Sequence, residues 1–503
     1  MKYIDNFLNG ITMYRLVMYG LFILCAIAIT FGFVGLLPYS GISLTTSLLL
    51  SIFICYGTNQ LIAKILNVQT NAESAVITSL ILFLILFPIE STADIKAFAL
   101  VAVLSMLSKY VFAISKKHVF NPVAISIFIA GLFGSGVTAW WIGSSVMILP
   151  VSIFGFLILR KVRRFELFSA FFVTGLVSTI IFNISSPSSF LEIIKLALLS
   201  GPIIFFGTVM LTEPLTTPPS KKLQIFYGAL VGIFFGAQFD FGILYSTPGL
   251  ALIIGNLFSY IVSPRARLIL TLVEKRKLSK DVYEFIWKSD QKLHFKAGQY
   301  LEWTLGQEHT DNRGNRRYFT ISSSPTEENI KLGIKSYENS STFKKKLLSL
   351  VQGDKIVASQ LAGDFVMTED KNKKLVFIAG GIGVTPFRSM IKDLTDRNEK
   401  REVVLFFSNR TPNDIVYKDI FDEAEQKIGL KTIYAVNDLA GADPQPNITV
   451  GFINADMIKK EVPDFKNCTF YISGPRVMVT AFEDTLNKMG VKNIKTDFFP
   501  GFV

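Results

Sequence analysis

A stretch near the middle of the chain, RRYFTISSSP from Arg316 to Pro325, holds the side chains best suited to chemistry. Arg317, Phe319 and Thr320 supply a cation, an aromatic ring and a hydroxyl within four positions. A run of this composition alternates as a β-strand, and side chains two apart share a face. Arg317 and Phe319 then point the same way. A guanidinium can grip phosphate with two parallel hydrogen bonds. A flat ring can stack on another, and a hydroxyl can sit at a reactive ring edge. Those are the contacts a flavin nucleotide needs. The same pattern also occurs on ordinary half-buried strands, so it does not stand alone.

A second stretch changes that balance: LVFIAGGIGVTPFRSM, Leu375 to Met390. An apolar strand runs into Gly380, Gly381 and Gly383, and a helix opens at Thr385 and Pro386. Glycines let a nucleotide approach the backbone closely, and a helix N-terminus favours pyrophosphate. In this order the two stretches resemble the ferredoxin–NADP reductase superfamily. YISGPRVM, Tyr471 to Met478, resembles that family's Cys-Gly-Pro turn at the nicotinamide, with Ser473 where Cys is usual. The terminal DFFPGFV resembles the aromatic segment that covers the flavin. The likeness spans residues 265–503 and departs at Phe319, where Tyr is commoner, and at Ser473.

The resemblance implies roles. FAD is held by Arg317, Tyr318, Phe319 and Thr320, with Ser341 and Thr342 as a second phosphate contact at a helix start. Gly380, Gly381, Gly383, Thr385 and Pro386 shape the nicotinamide-nucleotide site. Ser473, Gly474 and Pro475 hold the nicotinamide end. One of Phe498, Phe499 and Phe502 covers the flavin until the nicotinamide displaces it. Thr320, Ser473 and Phe499 form the catalytic set. NADH and NADPH both stay open. Arg410 could pair with a 2′-phosphate, while Asp414 beside it opposes one, so the reading leans to NADH.

Composition points to a membrane. The chain has 503 residues, of which 50% are hydrophobic, and a mean hydropathy of +0.42. The first 262 residues are apolar runs with few charges; the rest is rich in Lys, Asp and Glu. The net charge of +12 does not call for a nucleic-acid partner, because many cations sit in short loops between apolar runs. Cys25, Cys55 and Cys468 are too scattered for a disulfide framework, a metal site or an iron–sulfur cluster. The histidines are His118, His294 and His309, which cannot ligate haem in pairs from membrane helices. The first apolar run is long enough to remain as a span rather than a cleaved signal.

Ten apolar runs are expected as membrane helices: Leu16–Leu37, Leu44–Ile65, Val76–Ile89, Ile95–Ile114, Val123–Phe133, Trp140–Leu159, Leu167–Ile184, Leu191–Leu211, Ile225–Phe239 and Ile243–Val262. The third and fifth are short for a bilayer core of about 30 Å and are expected to be broken or re-entrant. Cations follow the fourth, sixth, eighth and tenth runs: Lys116, Lys117 and His118; Arg160, Lys161, Arg163 and Arg164; Lys221 and Lys222; Arg265 and Arg267. Positive charge marks the cytoplasmic side. The N-terminus and the C-terminal half are therefore expected in the cytoplasm of a bacterial-type membrane. Trp140 and Trp141 are expected in an interfacial belt.

The membrane part resembles the B subunit of the sodium-pumping NADH:quinone reductase and the D subunit of the Rnf complex. KKHVFNPVAISI (Lys116 to Ile127) and VMLTEPLTTPPS with FYGALVG (Val209 to Gly232) carry the likeness. The resemblance implies ten helices and a flavin among them, FMN or riboflavin. The family esterifies FMN to Thr in an Asp-x-x-Ser-Gly-Ala-Thr motif. Here the stretch from Asn183 to Ser189 stands in its place, with Ser189 at the acceptor position, so a non-covalent flavin is expected. Asn121, Thr212 and Glu213 are expected to touch that flavin or its phosphate. The plain alternative is that Asn121 and Pro122 cap a helix and that the Thr212–Thr217 stretch ends one.

The expected fold is therefore a multi-pass α-helical membrane domain over 1–263, an antiparallel β-barrel FAD domain over 264–370 and an α/β Rossmann-like nucleotide domain over 371–503. The expected activity moves a hydride from cytoplasmic NAD(P)H to FAD, then single electrons through a membrane flavin to an extracytoplasmic acceptor or a quinone. Two alternatives stay open: a redox-driven ion pump or transporter, and a soluble-type reductase anchored by its helices.

Overall fold

The computed structural model describes residues 4, 7, 8, 11–66, 72–114, 117–133, 138–184, 189–242, 244–263, 267–306, 315–338, 340–439 and 447–497. The chain divides into two compact units at residues 265/266.

The first unit is helical apart from two short hairpins. Its elements are α1 (Met13–Val34), α2 (Gly41–Ile65), α3 (Ala72–Ile85), α4 (Thr92–Val111), β1 (Ala113–Ile114), β2 (Lys117–His118) and α5 (Pro122–Leu132). There follow α6 (Ile148–Val162), α7 (Phe165–Phe182), α8 (Phe190–Leu199), α9 (Ile203–Phe205, continued by a π-turn over Phe206–Met210), α10 (Lys221–Gly236), β3 (Asp240–Phe241), β4 (Leu244–Tyr245) and α11 (Pro248–Val262). Each of the ten apolar runs contains helix, but among the described residues only α1, α2 and α7 are long and apolar enough to cross a membrane. The pair Phe190–Leu199 and Ile203–Met210, bent by 55°, makes a fourth if counted as one span.

The differences from the expected runs have local causes. Helix α3 stops at Ile85, before Pro88, because proline lacks a backbone donor and clashes with the preceding turn. The carbonyls left over are taken up: Ile85 O accepts from Ala139 N at 2.9 Å and Trp140 N at 3.0 Å, and Leu86 O accepts from the Trp141 indole at 3.0 Å. Ser43 and Ser47 bond the carbonyl and amide of Ile89, each at 2.8 Å. Buried irregular backbone survives in an apolar setting only with such partners. Trp141 is accordingly buried, 6% exposed. Pro202 separates α8 from α9, and the tenth run opens with the β3–β4 hairpin, leaving helix only from Pro248.

Two features bind this unit together. Gly228, Gly232 and Gly236 recur every fourth residue on α10, against α7. A Cβ at these positions would lie 2.4 Å from Leu167 O, 2.5 Å from Phe171 O and 2.5 Å from Thr179 N. Small residues let the two backbones touch, which is how apolar helices associate without a hydrophobic drive between them. The order of elements also repeats. Two helices, a short or bent one ending near a proline (Pro88, Pro214), another helix, a hairpin and a helix opening on proline (Pro122, Pro248) occur twice, over α1–α5 and α6–α11.

The second unit has two sheets. Strands β5 (Leu268–Lys277), β6 (Val282–Ser289), β7 (Tyr300–Thr304), β8 (Arg316–Thr320), β9 (Ile330–Lys335) and β10 (Lys355–Ala362) form an antiparallel sheet of order β8-β7-β10-β5-β6-β9. Its two edges meet where Ser322 N donates to Lys331 O at 2.9 Å, so the sheet curls into a barrel. Helix α12 (Thr342–Ser349) lies between β9 and β10 and presses Phe343 and Leu347 into the barrel core.

The remainder is a six-stranded parallel sheet of order β14-β13-β12-β11-β15-β16. Its strands are β11 (Leu375–Gly380), β12 (Val403–Asn409), β13 (Lys431–Val436), β14 (Ile448–Val450), β15 (Thr469–Ser473) and β16 (Asn493–Thr496). The helices are α13 (Thr385–Asp396), α14 (Lys418–Ile428), α15 (Ala455–Glu461) and α16 (Arg476–Lys488). β11 is buried at every position, as a central parallel strand must be. The chain order reverses direction between β11 and β15, and open α/β sheets bind ligands at such a switch point, outside the carboxyl ends of the strands.

Candidate functional site

The switch point brings two of the sequence motifs together. β11 ends at Gly380 and β15 at Ser473, and the two strands are direct neighbours. A Cβ at Gly383 would lie 2.5 Å from Gly474 Cα and Ser473 O. The turns therefore touch backbone to backbone, and only glycine permits it. Gly381 has φ +52° with no atom within 4 Å of a built Cβ, so its backbone is open to a ligand. Thr385 and Pro386 start α13 directly after this turn. The Ser473 hydroxyl donates to the Asp497 carboxylate at 3.1 Å.

The Arg316–Thr320 motif forms β8, at one edge of the barrel sheet. β8 pairs with β7 so that Arg317 opposes Trp303 and Phe319 opposes Leu301. Period-two alternation holds. The Arg317 guanidinium stacks 5.3 Å from the Phe343 ring centroid, and Phe319 lies 5.9 Å from the same ring. Tyr318 points the other way, where its hydroxyl donates to Glu302 at 2.9 Å. Ser341 caps α12 by accepting from Lys344 N at 3.3 Å, and Thr342 is the first helical residue. A helix start leaves N–H groups without intrahelical partners and carries partial positive charge. Arg317 stacks on the ring one residue into that start, so guanidinium and helix terminus converge on one anion-accepting spot. That donor set fits the pyrophosphate of FAD, and Phe319 and Thr320 lie further along the same strand. Phe498, Phe499 and Phe502 lie outside the described residues.

Gly333 on β9 ties the barrel to the nucleotide sheet. A Cβ there would lie 2.7 Å from the Tyr417 hydroxyl and 2.9 Å from Thr385 Cγ2. Beneath it, Arg388 on α13 is 2% exposed and pairs with both Glu327 oxygens. Burial alone would push the Glu327 carboxyl up, but Arg388, Lys331 and the Ser324 N–H together hold it down to about 2. Glu284, buried on β6, goes the other way: desolvation raises it despite the nearby Arg388 and Lys331 charges. Sequence reasoning missed Arg388, Glu327, Tyr417 and Asp497. The one local signal was an arginine on the apolar side of α13.

The first unit holds a separate polar cluster. The Asn121 side chain caps α5, accepting from Val123 N and Ala124 N at 3.1 Å each, and donates to Glu213 at 2.8 Å. Asn121 N donates to the Asn256 side chain at 2.7 Å, which donates to the Tyr227 hydroxyl at 3.1 Å. Arg164 donates to Thr212 O at 2.7 Å. The Thr212 hydroxyl itself bonds back to Thr208 O at 2.6 Å. Asn121, Thr212 and Glu213 thus meet at one place, and Asn256, Tyr227 and Arg164 join them unforeseen. Ser189 is not brought there. It is exposed and caps α8 in a reciprocal pair with Glu192. Among the described residues no group of three His, Cys, Asp or Glu side chains is placed to hold a metal.

Comparisons with known proteins cover the second unit. Residues 269–365 match the oxidoreductase FAD-binding domain and residues 377–484 the oxidoreductase NAD-binding domain. A flavohemoprotein of Bacillus cereus is 26% identical over 241 residues, 45% of this chain and 60% of that protein. The F subunit of the Na(+)-translocating NADH-quinone reductase of Yersinia pestis is 34% identical over 168 residues, 30% of this chain and 39% of that protein. The chain therefore spans between two fifths and three fifths of the length of these relatives. Among solved structures, the flavohem-like FAD/NAD binding domain of nitric oxide dioxygenase from Vibrio cholerae is 18% identical with a TM-score of 0.41, covering 46% of this chain and 98% of that one. The cytochrome b5 reductase domain of Ulva prolifera nitrate reductase is 21% identical, also at 0.41, covering 47% and 98%. The two family matches fall on the barrel and on the parallel sheet, so the C-terminal half carries an oxidoreductase FAD-binding domain followed by an oxidoreductase NAD-binding domain.

Proposed function

We propose that the chain carries electrons across a membrane, from cytoplasmic NAD(P)H through FAD and a second flavin among the helices to an extracytoplasmic acceptor or a quinone. Bound FAD supplies the change from two-electron hydride chemistry to one-electron steps. Arg317 and the start of α12 hold its pyrophosphate, Phe319 stacks on its ring and Thr320 presents a hydroxyl to the ring edge. Gly380–Gly383 and Ser473–Pro475 bring the nicotinamide against that ring and exclude water. A terminal phenylalanine covers the ring between turnovers. NADH is favoured over NADPH because Asp414, which caps the loop after β12 by bonding Thr411, adds negative charge beside Arg410.

The observation that carries the transmembrane part is the hydrogen-bonded network of half-buried Glu213 with buried Asn121, Asn256 and Tyr227 in a largely apolar unit. Polar groups at membrane depth are expensive and mark functional sites by default. A flavin held there without a covalent bond is the reading we give this network. A bilayer core of about 30 Å needs an intermediate carrier. With five apolar segments in each repeat, the second copy runs opposite to the first. The cationic loops after the even-numbered runs then share one side, which the excess of Lys and Arg assigns to the cytoplasm together with both termini. The test is full-length protein in liposomes with ferricyanide trapped inside and NADH outside. FAD plus FMN or riboflavin in the purified protein, with reduction of the trapped ferricyanide, is expected. FAD alone and no internal reduction would leave the helices as an anchor. Sodium-dependent NADH oxidation in the same vesicles would favour the ion-pump reading.

A further inference from the structure

The helix that opens the nucleotide turn is bolted to the loop that follows the flavin strand. Arg388 sits three residues past Thr385 on α13. It donates to Ser322 O at 3.0 Å, two residues beyond Thr320, and grips Glu327 with both terminal nitrogens, one at 2.9 Å. Glu327 also accepts from Ser324 N and from Lys331, each at 2.7 Å. Ser389 donates to Ser323 O at 2.6 Å. One face of α13 thus meets one short loop through a chain of charged and neutral hydrogen bonds.

The consequence is geometric. The loop continues β8, which carries Phe319 and Thr320. The helix continues Gly380–Gly383, which receives the nicotinamide. Gly333 leaves no room for the two parts to slide, since a Cβ there would meet Tyr417 and Thr385. We infer that Arg388, Glu327 and Ser389 are positioning residues for hydride transfer, setting the separation of the nicotinamide turn from the flavin strand. The step they align breaks a C–H bond of the dihydronicotinamide and forms an N–H bond on the flavin. The electron pair travels with the hydrogen, so the nicotinamide is oxidised, FAD is reduced and no proton is drawn from solvent. Such a step is steeply sensitive to distance: a misplacement of about 1 Å can cost about 100-fold in rate.

A merely structural ion pair predicts something different. Replacing a buried pair by apolar residues of similar volume is often neutral for stability, so stability and alignment can be separated. Three full-length variants serve: Arg388→Lys, Ser389→Ala, and the double change Arg388→Met with Glu327→Leu. Each is measured for FAD content, thermal midpoint, the rate of flavin reduction at saturating NADH, and the deuterium isotope effect with 4-deuterated NADH. The expected result is a reduction rate at least about tenfold lower in Arg388→Lys and in the double variant, with FAD retained, KM for NADH within about threefold and a raised isotope effect. Ser389→Ala, the mildest change, should show the same signature at about threefold. Wild-type rates and isotope effects in folded, FAD-loaded variants would overturn the inference, as would losses that only track FAD content. Should the two arginine variants not fold, Ser389→Ala alone decides between these results. If wild-type protein failed to reduce its FAD with NADH, the enzymatic reading would fail instead.

Discussion

Gly383→Ala tests the contact between the two nucleotide turns directly. The added Cβ would lie 2.5 Å from the Cα and N of Gly474 and from Ser473 O. All three are backbone atoms on a strand end, and none can swing aside as a side-chain tip would. Ordinary contact begins near 3.4 Å, so the turns must part by about 0.9 Å. Overpacking of this kind costs about 1–3 kcal/mol of stability, which a unit with this much core can absorb. The kinetic effect is larger. Parting by close to 1 Å the two turns that hold the nicotinamide should lower hydride transfer about 100-fold. The barrel residues that hold FAD are untouched, so flavin content should not change. Stopped-flow reduction of the bound flavin at saturating NADH gives the rate, and absorbance of the same sample gives the flavin-to-protein ratio. A variant that keeps its FAD and reduces it within about threefold of wild type would show that the turns do not set the hydride distance.

Other perturbations follow from the same geometry. Arg317→Ala removes a charged partner worth about 1.5–3 kcal/mol where phosphate must be neutralised; FAD affinity should fall at least about tenfold by flavin titration, and full retention would contradict the role. Glu327 has a folded pKa near 2, below its ordinary 4.5. Its ion pair therefore stabilises the fold above about pH 4.5, and that contribution is lost as the pH falls towards 2. The thermal midpoint of wild type should drop through this window, and Glu327→Gln should be lower at neutral pH with a flatter acid limb; parallel curves would contradict the assignment. Glu213→Gln should lower the FMN or riboflavin recovered from purified protein while FAD stays at wild-type level; unchanged content of both would make the Asn121–Glu213 contact structural.

Much of the second unit was legible because its signals are local. β8 shows its alternation in five residues, and the Gly380–Gly383 turn between a buried strand and a proline-started helix has few other uses. Ten helical runs were legible in the first unit because hydropathy is also local. Their boundaries were less so. Leu191–Leu211 reads as one continuous apolar segment, yet Pro202 bends it. Trp140 to Met147 is apolar enough for helix but is drawn into a short 3-10 turn by backbone bonds to Ile85. The element repeat escaped notice because the halves share an order of elements and two prolines rather than a run of residues.

The site residues that escaped notice have a common physical form. Arg388 meets Glu327 across 61 residues, and Asn256 meets Asn121 across 135. Neither partner is within reach of a local window. Yet each stands out in its own element: an arginine on the buried side of a short amphipathic helix, an asparagine in the middle of an apolar one. A buried polar group without a partner costs roughly 2–7 kcal/mol, so nearly all such groups are hydrogen-bonded. A polar residue where the periodicity demands an apolar one therefore announces a partner elsewhere, although it cannot say which. Here the two announcements fall at different places, the junction of flavin barrel and nucleotide sheet and the break before α10. The first partner set joins the two domains that the family matches cover. The second lies in the part of the chain that those matches do not reach, which is why flavin content of the Glu213 variant, rather than its NADH oxidation, is the measurement that distinguishes a conducting membrane unit from an anchor.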